Sequence, residues 1–211
     1  AGEGRSEATI AEPAFSPRQA LATSAFWILA GVFTMRVMIT NAVAVHQIPF
    51  LGDVGFPYET AALLFGGLAA SSSVGRFGLG VLSDRIDKRH VMAICLSLLA
   101  IAMVIMAMTT GELWQVLLYI AIYSLGYGGM TTMTTTMICE YFGRSHLATI
   151  QGLFSMVWMS GTMAGPYIAG YVFDVTHSYR LAFLFFAAAS VVALAGLMAV
   201  KPPTNQPVVT P

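Results

Sequence analysis

Long apolar stretches alternate with short polar segments along most of this chain. Six of the stretches approach the roughly 20 residues that an α-helix needs to cross about 30 Å of hydrocarbon. They run approximately over Ala25 to Leu51, Ala61 to Leu82, His90 to Met108, Leu113 to Cys139, Ile150 to Val172 and Leu181 to Val200. The segments between them are short and carry proline, glycine or charged residues. The pattern predicts an all-α polytopic membrane protein with six transmembrane helices.

Composition supports a membrane protein and excludes several other classes. The 211 residues are 57% hydrophobic and only 9% charged, which leaves too little polar surface to cover a soluble domain. The 10 basic and 10 acidic residues balance, so nothing favours a nucleic-acid partner. Cys95 and Cys139 lie in separate apolar stretches, and the four histidines have no ligand spacing. We therefore expect no cofactor and no metal site.

Polar or proline-rich segments flank the apolar region. We expect residues 1–22 to form a mobile cytoplasmic linker, residues 23–200 a six-helix transmembrane domain, and residues 201–211 a cytoplasmic tail. The first residues do not combine a basic region with an apolar core, so they do not resemble a signal peptide. We expect the chain to be part of a longer protein.

The distribution of basic residues predicts the orientation in the membrane. An even number of spans brings both termini to one side, and basic residues concentrate on the cytoplasmic side. With cytoplasmic termini, seven basic residues lie inside and Arg180 alone lies outside. The seven are Arg5, Arg18, Arg85, Lys88, Arg89, Arg144 and Lys201. We therefore expect a multi-pass protein of the cell membrane with both termini in the cytoplasm.

A weak internal repeat relates the first three spans to the last three. A shift of 90 residues matches two glycines and an aspartate at the end of the second span with their counterparts in the fifth. The matched pairs are Gly75 and Gly165, Gly80 and Gly170, and Asp84 and Asp174. Because each repeat holds three helices, the second is inverted in the membrane relative to the first, as in many secondary transporters. The fold prediction is thus an inverted 3+3 repeat.

The segment GVLSDRIDKR, residues 80–89, resembles the cytoplasmic signature loop of the major facilitator superfamily, GxxxDRxGRR. Asp87 stands where the signature has its second glycine, a degenerate form often seen in the carboxyl-terminal half of these proteins. The fifth span and the segments FWILAGVFTMR and VHQIPFLGDVG are similar to the monocarboxylate and oxalate/formate transporter branch. The resemblance covers about residues 17–200.

This resemblance implies a half of a twelve-helix transporter. Its partners are then the lipid bilayer, a small solute, and either a missing amino-terminal six-helix half or a second copy of the chain. It implies secondary active transport by alternating access rather than enzymatic activity. An intramembrane serine protease is disfavoured because Ser160 has no histidine at matching depth. A transporter of another small solute, and a non-transporting receptor or assembly protein on the same scaffold, remain alternatives.

Arg36 is the most informative residue inside a span. It lies about 16 Å along the first span, where an arginine costs at least about 2.5–3.5 kcal/mol. Its helical face includes Thr40 and Gln47, so we expect a polar stripe that faces a cavity. A second arginine, Arg76, shares a face with serines in the second span. These cations predict an anionic substrate, a mono- or dicarboxylate, although each arginine could instead pair with acids or carbonyls of the absent half.

The predicted substrate-binding residues are accordingly Arg36, Thr40, Gln47, Arg76 and Tyr127. Tyr127 either lines the pathway or packs in the core. Proton-coupled members of the monocarboxylate branch carry an aspartate where this chain has Ser72, so the resemblance puts proton coupling at that pair in doubt. The fifth span also lacks the lysine of oxalate exchangers, which weakens the dicarboxylate alternative.

Two further sets of residues follow from the loop and from the glycines. The resemblance implies a charged latch at the cytoplasmic end, although the same charges could simply anchor the topology. Its members are Gly80, Asp84, Arg85, Arg89, Glu140 and Arg144. In the fifth span, Gly161 and Gly165 form a GxxxG face for close helix packing. Pro166 permits a bend there, and Gly170 continues the small face.

Overall fold

The computed structural model describes residues 15–201 and 203, and within them it contains helices and no strand. Most of the predicted linker and tail lies outside these residues. A short helix precedes six long ones: α1 Pro17–Leu21, α2 Ser24–Asp53, α3 Tyr58–Ser83, α4 Lys88–Met108, α5 Leu113–Phe142, α6 Leu147–Thr176 and α7 Arg180–Ala199. The long helices coincide with the six predicted spans, and several extend a turn beyond them. The predicted all-α architecture is confirmed.

Five of the long helices, α2 to α5 and α7, are long and apolar enough to cross a membrane. The sixth, α6, has 30 residues and is therefore about 45 Å long. Its length suffices for a span, although glycine, serine and threonine interrupt its apolar residues. The chain is thus a multi-pass membrane protein.

The connections divide the bundle into two ends. Residues 54–57, 109–112 and 177–179 lie at one end, which we call the Asp53 end. Residues 84–87 and 143–146, together with the two chain termini of the described region, lie at the other, which we call the Asp84 end.

The packing of the helices follows the predicted repeat. The most extensive contacts join α2 with α6 and α3 with α5. Exchanging the triplet α2–α4 with the triplet α5–α7 converts one of these pairs into the other. One matched pair of glycines lies at these contacts: a Cβ on Gly75 would be 2.5 Å from the carbonyl oxygen of Leu125, and one on Gly165 would collide with that of Met38. The match between Gly75 and Gly165 therefore reflects equivalent helix contacts, α3 with α5 and α6 with α2.

Gly161 extends the α2–α6 contact by one helical turn. A Cβ at this position would collide with the carbonyl of Thr34, so the GxxxG sequence lets the two backbones approach closely, as the spacing predicts. Gly170 is less crowded, with its nearest neighbour, the ring of His46, at 3.7 Å from a built Cβ. Gly80, by contrast, faces open space.

Residues 15–22, the part of the expected linker that the structure describes, are packed against the Asp84 end. The amide of Phe15 donates to the carbonyl of Phe142 at 3.2 Å, and the two rings meet edge to face at 5.9 Å. Phe26 continues this cluster toward Phe154, with ring centroids 4.3 Å apart. The Trp27 indole donates to the Leu21 carbonyl at 3.0 Å. These contacts seal the base of α2 against α5 and α6.

The glycine contact between α2 and α6 gives a testable prediction. Gly165→Ala should lower the thermal stability of the detergent-solubilised protein, because the new methyl group meets rigid backbone; overpacking of this kind typically costs about 1–3 kcal/mol. Gly152→Ala on the same helix is the matched control, since a Cβ there has no neighbour within 4 Å. Equal melting temperatures for the two variants would contradict the close packing of α2 on α6.

Candidate functional site

A small cavity of about 100 Å³ opens between α2, α3 and α5. Its wall is mainly apolar and includes one threonine hydroxyl and two phenol rings. The lining residues are Thr40, Val43, Ala44, Phe65, Leu68, Ala69, Tyr123 and Tyr127. Two of the predicted binding residues, Thr40 and Tyr127, therefore line the same cavity from different helices.

Arg36 lies beside this cavity, one helical turn from Thr40 toward the Asp84 end. Its electrostatic neighbours are Tyr127 and Tyr123, the two phenols of the cavity wall. The buried Nε atom of Arg36 has no hydrogen-bond partner within the described part of the chain, and no salt bridge to Arg36 occurs there. The guanidinium thus retains donor capacity next to the cavity, and no carboxylate of the described residues neutralises it.

Three tyrosines on α5 form a column opposite the polar stripe of α2. Tyr119, Tyr123 and Tyr127 recur every four residues and so share one helical face. Ring centroids are 5.5 Å apart in the first pair and 5.7 Å in the second, whose rings are nearly parallel. The Tyr119 hydroxyl donates to Oε1 of Gln47 at 3.3 Å, so α2 and α5 also meet near the Asp53 end.

Gln47 itself is fully buried and does not line the cavity. It follows Arg36 by eleven residues, about 16 Å along the helix. Its Nε2 atom is buried without a partner among the described residues. The stripe predicted on α2 therefore splits into two parts, Arg36 with Thr40 at the cavity and Gln47 in the core beside Tyr119.

Arg76 lies away from this cavity. It is exposed on α3 in the six-helix bundle and does not line the cavity. Ser72, one turn earlier, is buried and its hydroxyl donates to the carbonyl of Ala69 at 2.7 Å. The fold thus brings Arg36, Thr40 and Tyr127 together and leaves Arg76 on a surface open to a partner.

The charged residues at the Asp84 end interact differently from the predicted latch. Glu140 forms its ion pair with Lys88, at 3.4 Å, and not with Arg85 or Arg89. The side chains of Asp84 and Arg85 are exposed and have no partner within the region that the structure describes. Gly80 makes no close approach, and Arg144 is exposed in the connection after α5.

Arg89 binds the last turn of α7. Its Nε donates to the carbonyl of Leu197 at 3.1 Å, and another guanidinium nitrogen donates to that of Met198. Carbonyls in the last turn of a helix lack intrahelical partners, and a cation there interacts favourably with the helix dipole. With Glu140, Asp87 and Tyr141, Arg89 bounds a second cavity of about 270 Å³ at the Asp84 end.

One residue that the sequence does not predict to be functional has two partners in the fold. His46 on α2 is one of the four histidines without ligand spacing. In the structure its Nε2 is 3.0 Å from the carbonyl oxygen of Pro166 and its Nδ1 is 3.1 Å from the hydroxyl of Tyr179. The partners lie 120 and 133 residues away, so no local pattern could reveal them.

Comparisons with known proteins agree with this architecture. The family model described as Major Facilitator Superfamily matches residues 17–211. Monocarboxylate transporter 13 of Rattus norvegicus is 27% identical over 160 residues, covering 75% of this chain and 37% of the relative. Monocarboxylate transporter 7 of Homo sapiens is 25% identical over 165 residues, covering 76% of this chain and 31% of the relative.

A third relative is matched with similar identity and coverage. Monocarboxylate transporter 12-B of Danio rerio is 24% identical over 162 residues, covering 75% of this chain and 34% of the relative. The chain therefore spans about a third of the length of the curated relatives that it matches. Three findings lead to one conclusion: the helical bundle, the resemblance of residues 80–89 to the signature loop, and the family match over residues 17–211. The chain belongs to the Major Facilitator Superfamily, in a branch like the monocarboxylate transporters.

Proposed function

We propose that this chain is one six-helix half of a transporter that moves a small organic anion across the cell membrane by alternating access. The single observation that carries the proposal is Arg36, a cation in the middle of α2 whose Nε is buried without a hydrogen-bond partner among the described residues. An uncompensated arginine at this depth is costly. A substrate carboxylate would supply the missing negative charge.

The surroundings of Arg36 suit a monocarboxylate better than a dicarboxylate. The guanidinium of Arg36 interacts electrostatically with the phenols of Tyr123 and Tyr127. The rest of the cavity wall is largely aliphatic or aromatic. The planar guanidinium fork can hold one carboxylate through two parallel hydrogen bonds. A short apolar tail then fits against Phe65 and Leu68, where a second carboxylate would find no cation.

The missing half supplies the other wall of the pathway in this proposal. The chain covers only about a third of its relatives' length, and Arg76 on α3 is exposed. α6 also exposes a stripe at intervals of four residues, namely Met159, Met163, Tyr167 and Tyr171. The glycine, serine and threonine residues of α6 suit contact with protein or a pathway better than contact with lipid. A second copy of the chain is the alternative partner.

We assign the Asp84 end to the cytoplasm because most basic residues lie there. The Lys88–Glu140 pair and the binding of Arg89 to α7 hold α4, α5 and α7 together at this end. In the proposed transporter these contacts keep the cytoplasmic end closed, while the exposed Asp84 and Arg85 are available to the other half. Anchoring of the topology alone is the alternative role.

The first test concerns Arg36. Arg36→Lys should weaken uptake of radiolabelled acetate, lactate or pyruvate by proteoliposomes containing the full-length protein, because the ammonium keeps the charge but loses the bidentate geometry. Arg36→Met should abolish uptake and leave the yield of folded protein equal or higher, since a buried charge is removed. Arg18→Lys, on the exposed face of α1, is the matched control.

Uptake and folded yield measured on the same preparations separate the substrate role from a structural one. A structural ion pair with the other half predicts poor yield and normal uptake per folded molecule. Normal uptake by Arg36→Met would reject the binding role. Uptake of a neutral solute of similar size, unaffected by either variant, would favour the alternative of another substrate.

A second test compares two neighbouring cations at the Asp84 end. Arg89→Met removes hydrogen bonds from a charged group to carbonyls, worth about 1.5 kcal/mol at a half-exposed site, and should shift the open–closed equilibrium about tenfold. Lys88→Met breaks a half-exposed ion pair of about 0–1 kcal/mol, so it should shift the equilibrium about fivefold at most. Opening of the Asp84 end is measured as the labelling rate of a cysteine introduced by Tyr141→Cys, in a protein from which the native cysteines have been removed.

Asp84→Asn should raise the same labelling rate if the exposed carboxylate binds the other half in the closed state. Uptake and labelling that stay unchanged in all three variants would reduce the charged loop to a topology anchor.

A further inference from the structure

His46 has hydrogen-bond partners on both ring nitrogens, and these partners determine its tautomer. Nε2 lies 3.0 Å from the carbonyl oxygen of Pro166, and a carbonyl oxygen can only accept, so Nε2 carries a proton. In the neutral imidazole Nδ1 then has a free lone pair. It accepts the hydroxyl proton of Tyr179, whose oxygen is 3.1 Å away.

The carbonyl that His46 contacts lies at the weakest turn of α6. Pro166 has no amide proton, so the carbonyl of Thr162 lacks its usual helical partner and the helix bends most easily there. The imidazole packs on the same turn, since a Cβ built on Gly170 would be 3.7 Å from Cε1 of His46. His46 therefore joins α2 to α6 at the turn that contains Pro166, directly after the tight contact at Gly165.

Tyr179 connects His46 with carboxylates at the Asp53 end. Its side chain is 6% exposed and stacks on Phe173 at 4.4 Å. Burial raises the pKa of the Tyr179 hydroxyl, and the negative charges of Asp53 and Asp174 raise it further. Both carboxylates are therefore close enough to act on the phenol, and they lie next to the aqueous end of the bundle.

Other charged and titratable groups at this end are exposed or turned away from the pair. Arg180 on α7 is turned away, because its Nε donates to the carbonyl of Ala107 at 3.0 Å. Glu59 at the start of α3 and His177 after α6 are exposed. Asp53 from α2 and Asp174 from α6 are thus the acids whose charges act on Tyr179 of the His46–Tyr179 pair.

We propose that His46 and Tyr179 form a proton-binding site, reached from the Asp53 end, that regulates the packing of α6 against α2. A proton from solution forms an N–H bond at Nδ1 of His46, and the ring gains one positive charge. Nδ1 then donates to the oxygen of Tyr179. The Tyr179 hydroxyl, which previously donated to Nδ1, rotates toward a carboxylate of Asp53 or Asp174, and loss of the proton reverses each change.

Protonation of His46 strengthens the hydrogen bond that joins α2 to α6 at Pro166. The imidazolium makes a charge-assisted hydrogen bond from Nε2 to the Pro166 carbonyl, stronger than the neutral one. Imidazole is the side chain that ordinarily changes its charge between pH 5 and pH 8, so α2 and α6 should be held more firmly at the acidic end of that range.

Nuclear magnetic resonance of the ¹⁵N-histidine-labelled full-length protein in detergent micelles tests the site directly. The His46 signals, identified by their absence in His46→Gln, should report a protonated Nε2 and a bare Nδ1 at pH 8, and two protonated nitrogens at pH 5. Tyr179→Phe should move this titration to lower pH, because the phenol oxygen that accepts from the imidazolium is lost. His177→Gln, at the exposed neighbour, should leave it unchanged.

Spin labels on Val45 of α2 and Val175 of α6, both exposed, test the conformational part. Their distance distribution should be narrower at pH 5 than at pH 8, and His46→Gln should abolish the difference because glutamine keeps hydrogen-bonding groups but does not titrate. A His46 that stays neutral over this range, or that carries its proton on Nδ1, would overturn the proposal. So would a distance change that persists in His46→Gln. Neither readout depends on transport, so failure here is distinguishable from failure of the proposed function.

Discussion

The close approach of α6 to α2, and of α5 to α3, is the constraint on which the rest of the bundle depends. Gly165 and Gly75 permit it, because a single methyl group at either position would meet the facing backbone. Each contact joins a helix of one triplet to a helix of the other. Packed in this way, α2 and α5 turn their polar faces toward a common space, and the cavity beside Arg36 is the result. A membrane protein gains little from hydrophobic burial between helices, so such backbone contacts carry much of the packing.

The charges of the chain operate in two different environments. Lys88, Glu140 and Arg89 lie at the Asp84 end, where water screens their interactions and each contact contributes modestly. Arg36 lies in the middle of a 30-residue helix, where no carboxylate of the described residues forms a salt bridge with it. The end charges therefore suit reversible contacts between helices, whereas the central charge suits binding of an anion that enters and leaves. This contrast supports the proposed division between a closing contact and a substrate site.

His46 adds a link between these regions. The same pair of helices that contributes Arg36 and the glycine contact is joined near the Asp53 end through the ring of His46 and the carbonyl of Pro166. Protonation of His46 would alter how firmly α6 is held against α2, and α2 forms one wall of the cavity. Proton binding and access to the cavity would then be coupled through one rigid helix rather than through a long chain of side chains.

The sequence by itself determined the class of protein, the number of long helices, the glycine contacts and the depth of Arg36. These features are legible because span length, residue depth and GxxxG spacing depend only on neighbours along one helix. Only the tertiary structure decided which polar groups meet. Glu140 pairs with Lys88 instead of Arg89 because consecutive residues on a helix point about 100° apart, and the orientation of α4 turns Arg89 toward α7. Arg89 and Leu197 are 108 residues apart, and His46 and Tyr179 are 133 apart. Their contacts arise from the relative positions of packed helices, which no local pattern encodes.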